Sequence, residues 1–193
     1  MMSKSQNSIH RVCLLLDTLF FQGFYKFLYL WSNYIDIIIP NKVKMIDVGT
    51  FNNCTNLISV VLPNSLTSIG GSAFSSCMSL VSINIPNSVT NIGDAVFANC
   101  WSLGSVIIPG SVSTISSMMF HDCTNLSQVM ILDGVNKIED AFKRCNNLVT
   151  IFIPDSVTEI DKRAFVGCSS LSSVLYAGSE KEWNEKFYGI LMD

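Results

Sequence analysis

The chain has 193 residues, of which 49% are hydrophobic and 14% charged, and its formal net charge is -3. This hydrophobic content excludes an intrinsically disordered chain, which could not bury enough apolar surface to fold. Twelve basic residues against fifteen acidic ones also leave no electrostatic footprint for a nucleic acid. The length is sufficient for one domain.

Residues 1–33 form a first segment that is apolar from Ile9 onward. Its basic opening, followed by VCLLL, is typical of an export signal or membrane anchor. Asp17 and Lys26 interrupt the apolar run, and a charge at the bilayer centre costs about 2.5–3.5 kcal/mol. The alternative is a degenerate cap over the open end of a repeat array. The sequence leaves both open, and membrane contact is expected only if residues 9–33 act as an anchor.

A repeat of about 23 residues fills residues 34–178. The unit LVSINIPNSVTNIGDAVFANCWS begins at Leu80, and LISVVLPNSLTSIGGSAFSSCMS begins at Leu57. Leucine, phenylalanine and cysteine each recur with this step, at Leu57, Leu80, Leu103, Leu126, Leu148 and Leu171, at Phe51, Phe74, Phe97, Phe120, Phe142 and Phe165, and at Cys54, Cys77, Cys100, Cys123, Cys145 and Cys168. A fixed period of this length predicts a stacked-repeat architecture. The unit at Leu126 lacks one residue, a deletion that we expect a turn to absorb.

Each unit contains a strand and a return path. Ser82–Pro86 alternates polar with apolar residues, which predicts a strand with one buried face that proline ends. Gly93 is then expected to permit a bend at positive φ, and Ala95, Phe97 and Cys100 are expected to complete the interior. One coil cannot bury its own apolar side, but coils stacked at about 4.7–4.9 Å can.

The pattern LxxIxIPxSVTxIGxxAFxxC resembles the BspA-like leucine-rich repeat proteins, a class also called LRR_5 or TpLRR. The resemblance covers about Tyr34 to Tyr176. It implies a mainly β leucine-rich repeat solenoid of stacked 23-residue coils, with a parallel sheet on the concave side. It also implies a surface or secreted protein that binds other proteins, as adhesins do, and it brings no catalytic residues.

Residues 179–193 are predicted to form a C-terminal helical cap. Ser179 and Glu182 have the spacing of a capping box. Trp183 and Phe187 are four residues apart and therefore share one helix face. We expect a helix over Glu180 to Tyr188 that covers the last coil, and a flexible tail is the alternative.

The candidates for chemistry are few. The chain has two histidines, His10 and His121, and His121 lies two residues before Cys123. Cys123 belongs to the repeat ladder, and no catalytic motif is present, so we expect no enzyme, no cofactor and no metal site. The in-register cysteines are expected to be reduced core residues. Disulfides are the alternative, because equivalent Cα atoms about 5 Å apart lie within bonding range.

Two rows of residues should point outward from the strands. The first row is small and hydrophilic, and it consists of Asp36, Ser59, Ser82, Ser105, Gln128, Thr150 and Ser173. The second, the apolar stripe, consists of Ile38, Val61, Asn84, Ile107, Met130, Phe152 and Leu175. An exposed apolar stripe marks an interaction surface, whereas β-propensity alone or self-association could also explain it.

These observations predict a non-catalytic protein-binding repeat module. It would act in cell-surface adhesion, or bind host or matrix proteins, through the concave sheet and its apolar stripe. The expected partner is a protein, and the expected location is the cell surface or the secreted fraction. An intracellular protein-interaction scaffold in the cytoplasm is the alternative.

Overall fold

The computed structural model describes residues 35–190 and shows a parallel β-solenoid with one C-terminal helix. Most coils contribute one long and one short strand. The long strands are β1 (Asp36–Ile38), β3 (Ser59–Val61), β6 (Ser105–Ile108), β8 (Gln128–Ile131), β10 (Thr150–Ile153) and β12 (Ser173–Tyr176). The short strands are β2 (Met45–Ile46), β4 (Ser68–Ile69), β5 (Asn91–Ile92), β7 (Thr114–Ile115), β9 (Lys137–Ile138) and β11 (Glu159–Ile160).

The strands pair in parallel with the step of the repeat. Thr150 lies opposite Ser173, 23 residues on, and opposite Gln128, 22 residues back. The predicted solenoid is confirmed, including the one-residue deletion in the Leu126 unit. The domain boundaries at 33/34 and 178/179 stay a prediction, and the expected cap or anchor in residues 1–33 lies outside the described residues.

The sheet is less continuous than expected. The long strands form two sheets, with the orders β1-β3 and β12-β10-β8-β6. Between them, the coil of Leu80 makes only an isolated bridge from Ser82 to Ser105. The prediction that Ser82–Pro86 forms a strand is therefore wrong, because this segment does not form continuous ladders with the neighbouring coils. Its side-chain alternation is confirmed, because Ile83 and Ile85 are buried while Ser82 is exposed.

The phenylalanine ladder runs through the core as one stack. Neighbouring ring centroids lie 5.1–5.8 Å apart, and their planes are within 15° of parallel. Rings in contact at this spacing add about 0.5–1.5 kcal/mol per pair beyond their burial. The five rings from Phe51 to Phe142 are fully buried, and Phe165 is 7% exposed.

The cysteine ladder consists of the six in-register cysteines, and its thiols donate hydrogen bonds to backbone carbonyls. The thiol of Cys77 donates to the carbonyl of Phe51 at 3.2 Å, and that of Cys123 donates to Phe97 at 3.1 Å. Cys100, Cys145 and Cys168 repeat this bond, each to the carbonyl of the phenylalanine in the preceding coil. Cysteine therefore serves here as a small core residue with one donor.

Two turn positions adopt positive φ, one in the first four described coils and the other in all six. One follows the glycine turn, at Ser72 and Ala95 for example, and the other directly precedes each cysteine. The interpretation of Gly93 was wrong, because its φ is not positive. A Cβ at Gly93 would lie 2.5 Å from the backbone nitrogen of Gly71, so glycine is required by close packing. Ala95 is half-buried at φ +55°, and Val96 fills the interior instead.

Carboxylates hold the shortened turn of the Leu126 unit. The backbone N–H of Ser117 donates to the Glu139 carboxylate at 2.9 Å, and the Ser117 hydroxyl donates to Asp140 at 2.7 Å. These bonds to charged acceptors are among the stronger hydrogen bonds in proteins. Side chains thus tie the shortened turn to the preceding coil.

The C-terminal helix α1 (Glu180–Phe187) begins at a complete capping box of Ser179 and Glu182. Trp183 and Phe187 share a face, with centroids 4.9 Å apart, and Phe187 is 2% exposed. The predicted helix and its capping box are confirmed.

Candidate protein-binding face

The apolar stripe lies on the outer side of the long strands. Its exposed fractions run from 40% at Ile38 to 55% at Val61 and Ile107, and Phe152 is half-buried. The register places Ile107 opposite Met130 and Phe152 opposite Leu175. The structure therefore brings these predicted side chains together along one surface, and their role in binding stays a proposal.

A second exposed apolar row was missed by sequence reasoning. It stands just before the hydrophilic row, and its large apolar members are Ile35, Ile58, Val81 and Val149. Trp101 is 46% exposed in a turn that leads into this row. The sequence does contain a signal for this row, since Ile58, Val81 and Val149 each directly follow a leucine of the repeat. A strict two-residue alternation does not predict it, because the backbone turns at that point.

These three rows together form what we call the long-strand face. It consists of the apolar stripe, the hydrophilic row between Asp36 and Ser173, and the second apolar row between Ile35 and Ser172. Asp36 is its single charged residue, and the Asp36 carboxylate accepts a hydrogen bond from the Ser59 hydroxyl at 2.6 Å. The face therefore offers apolar contacts and hydroxyl groups, with almost no charge.

A shallow pocket of about 370 Å³ opens at one end of this face. It lies between the first two described coils, beside Ile38 and Val61 of the apolar stripe and the prolines Pro40 and Pro63. Pockets flanked by apolar side chains are common places for an anchoring side chain of a partner.

Charged groups lie on other sides of the coils. The Asp122 carboxylate lies 3.0 Å from Nδ1 of His121 and 2.9 Å from Nε of Arg144. The thiol of Cys123 points into the core, where it donates to Phe97, so His121 and Cys123 are not brought together. Among residues 35–190, no group of three or more His, Cys, Asp or Glu side chains could hold a metal ion.

The thiols of Cys54 and Cys100 are poor nucleophiles. All six cysteines in the described part of the chain are free and buried. Burial raises the pKa of Cys54 and of Cys100 to about 12. Since the thiolate is the reactive form, these side chains are inert at neutral pH. No helix within residues 35–190 is long and apolar enough to span a membrane.

Parallel coils stacked with a leucine step of about 23 residues define a leucine-rich repeat solenoid. The family model described as "BspA type Leucine rich repeat region (6 copies)" matches residues 23–141 and 123–189. The chain belongs to this family of BspA-type leucine-rich repeat proteins. Among curated proteins, none matches the chain.

Solved structures support the fold. The leucine-rich repeat protein TpLRR of T. pallidum is 37% identical, with a TM-score of 0.68 over 72% of this chain and 65% of that one. A leucine-rich cell surface protein of Faecalibacterium prausnitzii is 24% identical, with a TM-score of 0.53 over 80% and 63%. A leucine-rich repeat protein of Eubacterium ventriosum is 22% identical, with a TM-score of 0.63 over 77% and 44%. This chain spans less than two thirds of each of the three.

Proposed function

We propose that this protein is a non-catalytic binding module that captures a protein partner on its long-strand face, in adhesion at a cell surface. The observation that carries the proposal is the apolar stripe, which keeps large apolar side chains half exposed in register along the coils. Apolar patches that remain exposed on a folded protein mark interaction sites more often than isolated apolar residues do.

The dimensions of the stripe suit a protein partner. Seven positions at the spacing of parallel strands give a length of about 29 Å. Ile107, Met130 and Phe152 lie in neighbouring coils near its middle, which is where the residues that dominate binding energy cluster. Membership in the BspA-type family supports the location, because such proteins are typically surface proteins that mediate protein interactions.

The lack of charge on the face defines the kind of contact. Charged rims steer partners and make association depend on salt, and this face has only Asp36. The partner is therefore recognised by apolar packing and hydroxyl hydrogen bonds. Raising the salt concentration from about 0.05 M to about 0.5 M is expected to change its affinity less than about twofold.

The test uses purified extracellular-matrix proteins coated on a plate. The triple variant Ile107→Ser, Met130→Ser, Phe152→Ser removes the centre of the apolar stripe. Whichever matrix protein retains the wild-type chain should lose the triple variant, with affinity reduced at least about a hundredfold, because truncated hot-spot residues cost about 2 kcal/mol or more each.

A matched control replaces exposed apolar residues outside the long-strand face. The variant Met45→Ser, Val48→Ser, Met118→Ser changes side chains that are between 41% and 62% exposed. It should bind like the wild-type chain, and circular dichroism should show both variants folded. Equal binding by both triple variants would overturn the proposal, as would retention of the wild-type chain by none of the matrix proteins.

The alternative is an intracellular protein-interaction scaffold, and the free thiols favour it. Six unpaired cysteines, as found within residues 35–190, are more common in a reducing compartment than in a secreted protein. A membrane-impermeant amine reagent applied to intact cells separates the two, since Lys181 keeps 83% of its side chain exposed. Tagging supports the surface location. Tagging in lysed cells alone supports the scaffold.

A further inference from the structure

The last coil is only half covered. In the coil before it, the inward side chains Ile151 and Ile153 are fully buried. Their equivalents one coil further on, Val174 and Tyr176, remain partly exposed, as does Leu171. The core of the long strands therefore ends with apolar side chains open to solvent on one side.

Helix α1 covers the other half of this end. It contacts the short strand β11, and its buried Phe187 packs edge-on against Tyr176 with centroids 5.9 Å apart. Beside the start of the helix, a pocket of about 480 Å³ stays open, lined by Leu171, Val174, Tyr176 and Trp183 together with polar groups of Ser172, Gly178 and Glu180. The helix thus packs against the short-strand side and against Tyr176 at the end of β12, whose ring also lies 5.5 Å from that of Trp183, while Leu171 and Val174 border the open pocket.

The open side also presents backbone groups. Strand β12 pairs with β10 and with no other described strand. In the preceding coil, the carbonyl of Val149 accepts from Ser173, and that of Ile153 accepts from Ala177. The register makes Ser172 and Tyr176 the equivalents of Val149 and Ile153 in the last coil, so their carbonyls occupy the corresponding acceptor positions. They lie on the side of β12 that faces away from β10.

We propose that this edge is a second binding site, which takes an extended peptide segment of another protein as one more parallel strand. The earlier coils define what fits, because each places two aliphatic residues inward at this level, as Val129 and Ile131 or Ile151 and Ile153. The occupant is an extended segment with apolar residues at alternate positions. Main-chain hydrogen bonds supply the affinity in such additions, and the alternate side chains supply the specificity.

The probe is a fluorescein-labelled peptide, NLVTIFIPDS, with the sequence of residues 147–156, which include strand β10. Its two isoleucines would cover Val174 and enter the pocket. Fluorescence polarisation with the full chain should show saturable binding. The control peptide NLVTSFSPDS, which lacks both isoleucines, should bind at least about tenfold more weakly. Equal binding of the two peptides, or binding of neither, would overturn the proposal.

Variants on β12 locate the site. Val174→Glu places a charge on the inward side of the edge and should weaken peptide binding at least about tenfold. Leu175→Glu, on the next residue, changes the apolar stripe and should leave peptide binding unchanged, which separates this site from the proposed partner face. Thermal unfolding checks both folds.

A second copy of this chain could instead occupy the edge. Sedimentation equilibrium distinguishes the two occupants. Self-association of the wild-type chain that Val174→Glu abolishes, together with failure of the peptide to bind, would show that the edge takes a second copy and would overturn the proposal.

Discussion

Replacing Phe120 with alanine should test the phenylalanine stack as the source of stability. The ring is fully buried, and its centroid lies 5.5 Å from that of Phe97 and 5.4 Å from that of Phe142. Burial loss and the resulting cavity cost about 3–5 kcal/mol for Phe→Ala. Because two stacked contacts are lost, we expect the upper part of this range, about 4–5 kcal/mol.

Two companion variants separate burial from stacking. Phe120→Leu keeps most of the buried volume but loses both stacked contacts, so it should cost about 1–3 kcal/mol. Phe165→Ala should cost about 1 kcal/mol less than Phe120→Ala, because Phe165 stacks on Phe142 at 5.8 Å and on no other described ring.

Urea unfolding followed by both circular dichroism and tryptophan fluorescence provides the measurement, since coincident transitions show that the solenoid unfolds as one unit. A loss below about 1 kcal/mol for Phe120→Ala would refute the reasoning. Equal losses for Phe120→Ala and Phe165→Ala would show that stacking contributes nothing.

Three further results are expected from the same unfolding assay. Ser88→Ala should stabilise the protein by about 1 kcal/mol, because the buried Ser88 hydroxyl has no partner among the described residues. Ser65→Ala should destabilise it by about as much, because the Ser65 hydroxyl donates to the Val43 carbonyl at 2.7 Å. A change in the free energy of unfolding with the same sign for both variants would contradict this. Ala95→Gly should stabilise by about 0.5–1 kcal/mol by relieving positive φ, and a loss would refute the assigned strain. Stability should fall as pH rises from about 9 to about 12, because the unfolded thiols ionise from about 9 while burial raises the pKa of Cys54 and of Cys100 to about 12 in the folded chain. At about pH 10 each such thiol should cost about 1.4 kcal/mol, and an unchanged urea midpoint at that pH would contradict the role of burial.

The core could be predicted because repetition makes its signal redundant. Each phenylalanine and cysteine position recurs six times, so one irregular unit cannot hide the period. The deletion in the Leu126 unit could be placed for the same reason. Its carboxylate ties to Ser117 could not, because they depend on how two neighbouring coils face each other.

Backbone detail was harder to predict from residue type. Gly93 suggested positive φ, yet close packing against Gly71 explains that glycine, and Ala95 takes the left-handed conformation. The close stacking of coils in a solenoid imposes both the glycine at position 93 and the left-handed conformation of Ala95. The break in the sheet at Ser82 likewise has no counterpart in the sequence pattern, which reads there as an ordinary strand.

The candidate face was predicted in part. Alternation along the strands identified the apolar stripe, and the structure shows its side chains exposed and in register. The second apolar row and Trp101 were not predicted, because the row lies just before the strands and Trp101 lies in a turn, where strand alternation does not apply. The open edge of β12 also escaped, since it depends on which half of the last coil helix α1 covers.

Hydrogen–deuterium exchange with and without the matrix protein that binds tests the central claim most directly. If the long-strand face holds the partner, added protection should be confined to β6, β8 and β10, while the short strands β7, β9 and β11 on another side of the same coils exchange as before. Protection of the short strands instead, or equal protection on both sides, would contradict the account.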